Sequence, residues 1–355
     1  MFVRAVVLAV VLPVCAGRAA GAQEKVTLRS DLLLYGDNTE FRNPFREGET
    51  IFGAAARVFA DIELNPRVRV SLGAFGNQRF GSENAFERAR PVISLRVVGR
   101  RSSFVFGTFP ALPVTAPAGP DRGGPHALLP PLQRETLSFD RPYEAGLQWR
   151  FAGARLRHDV WLEWQRVNTP EHRERFDGGL NGEVTVSRHL AVPLQIHVVH
   201  EGGQLYASGP VDDSAAAALG IALHGRAARL DRLSLDLFGL AARSVPDRQK
   251  PDEDRNGRAF FGRAAAEHGE WRAHLIVWRG RAFIKDEGDP NYLSLRRNGT
   301  RYGGIRDYAE TGLTRRFTLA PGAVIDVSGR LHRTEGAYEY SYRVLSTASL
   351  GWHIR

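Results

Sequence analysis

Residues 337–355 read AYEYSYRVLSTASLGWHIR. Tyr338, Tyr340, Tyr342, Val344, Ala348, Leu350, Trp352 and Ile354 fall at alternate positions, with Ser346 as the one polar interruption. Between them fall Glu339, Ser341, Arg343, Thr347, Ser349, His353 and Arg355. Side chains of a strand alternate between faces, so this segment is a strand with one apolar and one charged face. The apolar face needs a cover that the strand itself does not supply.

The same pattern recurs upstream. In VTLRSDLLLY, Val26, Leu28, Leu32 and Leu34 oppose Lys25, Thr27, Arg29 and Asp31. In YEAGLQWRF, Tyr143, Leu147, Trp149 and Phe151 oppose Glu144, Gln148 and Arg150, and in VIDVSGRLHR Ile325, Val327 and Leu331 oppose Asp326, Arg330 and His332. The segment WRAHLIVWRGR alternates poorly, because Trp278 falls on the polar side. Such segments number about sixteen, an even count, as a closed single-chain barrel requires. Every second connection is short (LNPR, VGRR, AGAR, SRHL, HGEW, LAPG). Those between are mostly long and polar, among them GDNTEFRNPFREG, residues 110–141 and KDEGDPNYLSLRRNGTRY. A soluble propeller or sandwich needs no such asymmetry.

At the other end, Arg4 precedes the apolar run AVVLAVVLPVCA and then AAGA, which reads as a secretory signal peptide over residues 1–22. The run is too short to span a bilayer as a helix. Its removal takes away the single cysteine, Cys15, as suits an oxidising compartment. It also removes Arg4 and Arg18 from the 48 basic residues and none of the 39 acidic ones, so the formal charge falls from +9 to +7. That charge is dispersed and gives no sign of a nucleic-acid partner.

These observations predict an all-β protein, with residues 23–355 forming a closed antiparallel transmembrane β-barrel of about sixteen strands. Its apolar face meets lipid and its charged face a wet lumen, since closure leaves no backbone polar group unpaired in hydrocarbon. The chain resembles a bacterial outer-membrane porin in architecture, without a diagnostic motif. The resemblance implies a bacterial outer-membrane location, possible homotrimer assembly, and a third outer loop, here the longest, that bends inward to narrow the channel.

The inward set includes Arg57, Arg67, Arg69, Arg96, Arg150, Arg155, Arg157, Asp159 and Glu163, and the third loop contributes Asp121, Arg122, His126, Arg134, Glu135 and Arg141. Basic groups outnumber acidic ones, which favours passage of small hydrophilic solutes with a mild preference for anions. Alternatively, arginines and carboxylates on neighbouring strands pair and stiffen the wall. The run DEDRNG places Asp252, Asp254 and Asn256 at the spacing of a calcium loop, but its twelfth position is Arg263 where a bidentate Glu is needed. No cofactor is implied. The chain has no G-x-S-x-G elbow and no serine beside a histidine in sequence, which argues against an enzyme. An outer-membrane lipase or protease, and a surface receptor or adhesin using the long loops, stand as the alternatives to a passive channel.

Overall fold

The computed structural model describes residues 25–111, 124–227 and 229–354. The expected signal peptide and Cys15 lie outside that range. Sixteen strands form one closed antiparallel barrel in which each strand pairs with its neighbours in sequence and the last pairs with the first. They are β1 (Lys25–Glu40), β2 (Glu49–Asn65), β3 (Val68–Arg79), β4 (Arg88–Val98), β5 (Ser102–Pro110), β6 (Tyr143–Ala152), β7 (Leu156–Arg166) and β8 (Glu174–Thr185). The second half comprises β9 (Leu190–Gly202), β10 (Asp212–Ala227), β11 (Leu230–Val245), β12 (Arg255–His268), β13 (Trp271–Arg281), β14 (Ile305–Ala320), β15 (Ala323–Thr334) and β16 (Ala337–Ile354). One short helix, α1 (Leu137–Asp140), lies in the third long connection.

Closure rests on the strand that the sequence reading started from. Strand β16 pairs with β1 from Val26↔Ile354 to Glu40↔Tyr340. Tyr338, Tyr340, Tyr342, Leu350 and Trp352 face outward and are exposed, whereas Ser341 and Arg343 face inward and are each 2% exposed. The outward aromatics mark the two membrane interfaces. The short turns and both described chain ends share one rim, which is the periplasmic one for this class. On the outer rim β15 and β16 are joined by only Glu335 and Gly336, with φ of 48° and 91°. This left-handed pair matches the twist of the flanking strands.

Several strands run further outward than the alternation in sequence predicts. Strand β1 continues through Gly36, Asp37, Asn38 and Thr39, which read as a loop because the outward positions there no longer touch hydrocarbon. Strands β5 and β6 meet at Gly107 (φ 111°), where a Cβ would lie 2.1 Å from the Ile93 carbonyl oxygen, so the sheet bends just before the third long connection.

The core of the molecule lies inside the barrel. Residues 124–141 cross the lumen. The Leu129 N–H donates to Gln195 Oε1 on β9 and the Leu132 carbonyl lies 3.1 Å from His197 Nδ1, while Glu135 reaches Arg330 and Arg343 on β15 and β16. The connection over 282–304, expected to be an external loop, also folds inward and corrects that expectation. Phe283, Lys285, Tyr292 and Leu293 are buried, and the Asp289 N–H bonds to the Pro130 carbonyl. Both segments pack on inward aromatics of β7 and β11–β14: Trp161, Phe238, Phe261, Trp278 and Tyr308. Trp278, the residue that broke the alternation, meets Phe283 and Tyr292 edge-on at 5.1 and 5.4 Å.

The outward set is therefore the lipid-facing one, and a charge placed there should be costly. Leu275→Arg, on the outward face midway along β13, should destabilise the folded barrel by about 2–4 kcal/mol. Folded fractions in lipid vesicles over a urea series, read by heat-modifiable gel mobility, check this.

Candidate functional site

The inward arginines of the periplasmic half are mostly paired across strands. Arg57 binds Asp31, Arg150 lies 3.1 Å from Asp159, Arg157 lies 2.8 Å from Glu183, and Arg69 lies 3.6 Å from Glu63. Arg96 shares this wall. Two of the expected lumen residues are corrected. Arg67 and Arg155 lie in exposed periplasmic turns just before β3 and β7, because tight connections take up those positions. Asn65 Oδ1 accepts the Arg67 and Val68 N–H groups in the first of these turns. In the inserted segment, Arg134 lies 3.7 Å from Asp140, Glu135 binds two wall arginines, and Arg141 joins Glu163. Asp121 and Arg122 lie outside the described residues. The calcium-like run does not form a ligand cage. Arg255 Nη1 donates to the Asp252 and Asp254 carbonyls, Asp254 binds Arg243, and Asn256 belongs to β12.

His126 anchors the start of the inserted segment. Its ring stacks on Trp161 (3.7 Å, 2°), with Nε2 2.8 Å from Glu144 and Nδ1 3.1 Å from Asp159. Both His126 and Ala127 have positive φ, at 53° and 56°, a costly conformation for residues with a Cβ that these contacts hold in place. Burial alone would lower the His126 pKa, but the two carboxylates outweigh it and raise it to about 9.

A different arrangement lies on the opposite wall, where β14, β15 and β16 run side by side. Glu310 and His332 are directly opposed across β14 and β15, and Ser341 lies diagonally across from His332 on β16. Ser341 Oγ is 2.8 Å from His332 Nε2. On the far side of the ring, Nδ1 is 2.7 Å from Tyr308 Oη and 3.4 Å from Glu310 Oε2. Tyr308 donates its own hydroxyl proton to Glu310 over 2.7 Å, and His274 Nε2 lies 2.9 Å from the same carboxyl group. With the tyrosine proton committed to Glu310, His332 Nδ1–H donates to the Tyr308 oxygen. Nε2 is then left as the acceptor for Ser341. A serine, a base and an acid that orients the base thus converge within hydrogen-bond reach. Sequence inspection missed this group because its members sit on three strands and form no contiguous motif. The only signal was that Ser341 and His332 both fall on inward positions of adjacent strands.

The group is covered by the first outer connection. Phe41 meets the His332 ring edge-on at 4.8 Å, Glu339 Oε1 accepts the Arg42 and Asn43 N–H groups, and Arg46 binds Asp289 at 2.9 Å.

The sequence profile described as lipid A 3'-O-deacylase-type matches residues 18–351. The chain belongs to this family. Family membership overturns the expectation that the protein is not an enzyme, since this is an enzyme family. No curated protein sequence matches the chain. Among solved structures, a loop L8 deletion mutant of OmpT, an outer membrane protein of Vibrio cholerae, is similar at TM-score 0.56 and 10% identity, covering 92% of this chain and 99% of that one. An anion-selective porin from Comamonas acidovorans is similar at TM-score 0.54 and 10% identity, covering 92% and 100%. OccAB1 of Acinetobacter baumannii follows at 0.52 and 9%, covering 92% and 96%. These likenesses establish the barrel fold, which is of the porin type.

The raised pKa of His126 gives a pH dependence of definite sign. Between its ordinary value of 6.5 and about 9 the docked segment holds a proton that the undocked one does not, so docking weakens as pH rises through that window. The loss is on the order of 3 kcal/mol. Amide hydrogen exchange of residues 128–133, corrected for the intrinsic rate, should speed up above pH 7 in the native protein. It should lose that pH dependence in His126→Gln.

Proposed function

We propose that the protein is an outer-membrane serine ester hydrolase that removes an ester-linked acyl chain from lipid A, the phosphorylated, acylated glycolipid named by its family. The observation that carries this reading is the 2.8 Å contact between Ser341 Oγ and His332 Nε2, with Tyr308 and Glu310 behind the ring. In the reaction, Ser341 Oγ attacks the ester carbonyl while His332 Nε2 takes its proton. The tetrahedral adduct then collapses, the C–O bond to the sugar breaks, and His332 returns the proton to the leaving sugar oxygen. Water, deprotonated by the same imidazole, hydrolyses the acyl-serine and releases a free fatty acid. Glu310, directly and through Tyr308, stabilises the imidazolium formed in each half.

Placement supports a lipid substrate. Ser341 lies between outward-facing Tyr340 and Tyr342, at the depth of the outer interface where acyl esters of a membrane lipid reside. The wall above it is low, because Glu335 and Gly336 alone form the rim and His332 lies three residues, about 10 Å, beneath it. On the outer face of the neighbouring strands Arg258, Arg279, Arg281 and Arg333 project at headgroup level. Arg258 and Arg281 are directly opposed across β12 and β13, an unfavourable pairing that a phosphate would relieve. For the ester to reach Ser341, residues 41–46 must lift away from His332.

A second reading, passage of small hydrophilic solutes with a preference for anions, draws on the arginine-bearing periplasmic wall. The two inserted segments, packed across the outer half, weigh against it.

The test uses the full chain in detergent micelles with lipid A, with the products read by mass spectrometry. We expect loss of one acyl chain, a rate lowered about 10²–10⁴-fold in His332→Ala, and a reduction at least as large in Ser341→Ala. A fluorophosphonate probe should label the native protein and not Ser341→Ala. Full activity in Ser341→Ala would remove the serine mechanism. A native barrel that releases no fatty acid and takes no label, yet conducts anions steadily in planar bilayers, would establish the second reading instead.

A further inference from the structure

A separate cluster lies across the lumen from Ser341, where β7, β8 and β9 meet the inserted 282–304 segment. Glu163 and Asp177 are directly opposed on β7 and β8, His197 follows on β9, and Glu287 descends from the inserted segment. One ligand atom from each of Asp177, His197 and Glu287 lies within 4.8 Å of the other two. Asp177 and His197 are wholly buried.

The protonation of His197 follows from its neighbours. Nδ1 faces the Leu132 carbonyl at 3.1 Å, a group that can only accept, so Nδ1 carries the proton. Nε2 then presents a lone pair, and it has no hydrogen-bond partner. Asp177 Oδ2, itself an acceptor, lies 3.7 Å away. Two lone pairs facing each other in a dry interior repel unless a cation lies between them. Protonating Nε2 is a poor remedy, because 3.7 Å is too long for the hydrogen bond it would make. A backbone carbonyl that fixes the tautomer through the distal ring N–H is also the usual second partner of a metal-bound imidazole.

Charge argues the same way. Among the carboxylates of Glu163, Asp177 and Glu287 lies one guanidinium, Arg141, 2.7 Å from Glu287 Oε2 and 3.9 Å from Asp177. Arg175 touches Glu287 only at 3.7 Å while bound to Glu201. The buried Lys285 ammonium donates to the Asp286 carbonyl and adds one more positive charge near Glu287 and Asp177, which still leaves three carboxylates around Arg141 and Lys285. Gln165 Nε2 donates to Asp177 Oδ2 and Glu287 Oε1, which leaves each oxygen a second lone pair and holds the two carboxylates toward a common point. Arg141 can keep its contact with the other Glu287 oxygen as the carboxylate turns inward.

We propose that Asp177, His197 and Glu287 bind one divalent transition-metal ion of the zinc type. One imidazole with two carboxylates suits that class, whereas calcium prefers an all-oxygen shell. The ion ties the inserted 282–304 segment to the wall strands and thereby fixes the plug. Nothing in this depends on the hydrolase reading.

The test uses the full-length protein, stripped with chelator and titrated with Zn²⁺ and Co²⁺ in detergent. We expect one ion per chain, a Co²⁺ visible band of a low-coordinate site, and a rise in unfolding temperature on metal addition. His197→Ala should weaken binding by more than about 100-fold, and the near-isosteric Asp177→Asn and Glu287→Gln should also weaken it. Asp252→Asn, in the exposed outer loop, should bind as the native protein does. Heat-modifiable mobility verifies that each variant is folded. Should the variants not fold, the zinc X-ray absorption spectrum of the native protein still decides, since it must show one imidazole among oxygen ligands. Absence of stoichiometric binding, a spectrum with several imidazoles, or undiminished affinity in folded His197→Ala overturns the proposal.

Discussion

Compensation of charge inside the lumen is the constraint on which the rest of this structure depends. Arg330 and Arg343 project inward from adjacent strands β15 and β16 and are almost wholly buried. Unpaired, two neighbouring guanidiniums in a dry interior would be prohibitive. They share Asp37 from β1, at 3.2 and 2.9 Å, and Glu135 from the inserted segment, at 2.6 and 2.8 Å. Burial pushes the Glu135 carboxyl up, but Arg343 and Arg330 outweigh it and hold it below its ordinary value. Removing such a partner costs about 3–5 kcal/mol, because the remaining charge stays buried. Residues 124–141 are therefore part of the wall's electrostatics and not an appendage to it. The same logic extends to residues 282–304, which receive Arg46 on Asp289 and Arg141 on Glu287.

The barrel was legible in sequence because hydrocarbon imposes a strict rule on every outward position. Tyr338 to Ile354 obey it without regard to what fills the lumen. The interior obeys no such rule. It is wet toward the periplasm, where Arg157 and Glu183 remain partly solvated, and apolar further out, where Ile276 and Trp278 meet the inserted segments. Trp278 on a nominally polar face was the visible trace of that change. The run Lys285, Asp286, Glu287, Gly288 and Asp289 looked like a solvated loop because its charges are what a loop usually carries. The partners of Glu287 and Asp289, Arg141 of the other inserted segment and Arg46 of the first outer connection, lie more than a hundred residues away, and composition gives no hint of them. Arg134 and Arg141 of the third connection pair with Asp140, Glu163 and Glu287, and such pairing takes up most of what looked like a free field for anions.

Ser341 and His332 show why chemistry on a barrel escapes a motif search. In an α/β enzyme a strained turn advertises the nucleophile locally. On adjacent antiparallel strands the same contact is made by register, and β15 and β16 bring Ser341 beside His332 through a two-residue turn. The wall supplies what catalysis demands of its scaffold, since each member is held by a ladder of backbone hydrogen bonds and cannot drift. Tyr308 and Glu310 occupy successive inward positions of β14 behind the imidazole, and His274 on β13 braces the Glu310 carboxyl, so the acid that orients the imidazole is equally fixed.

Rigidity of the wall leaves motion to the connections. The cover over His332 is held by Glu339 on the Arg42 and Asn43 N–H groups, by Arg46 on Asp289, and by Arg306 stacked on Phe45. Two of those three ties run to the second inserted segment or the strand that follows it, so the cover and the plug share their anchors. A phosphate arriving from the outer leaflet competes for the same kind of group that Asp289 and Glu339 now satisfy, namely a guanidinium or a pair of backbone N–H groups. An anionic headgroup can thus loosen the cover with the chemistry that recognises it, while a neutral lipid at the same rim lacks the charge to do so. In the proposed reaction, the acyl ester enters over the low rim between β15 and β16, where the least wall separates the outer interface from the buried Ser341.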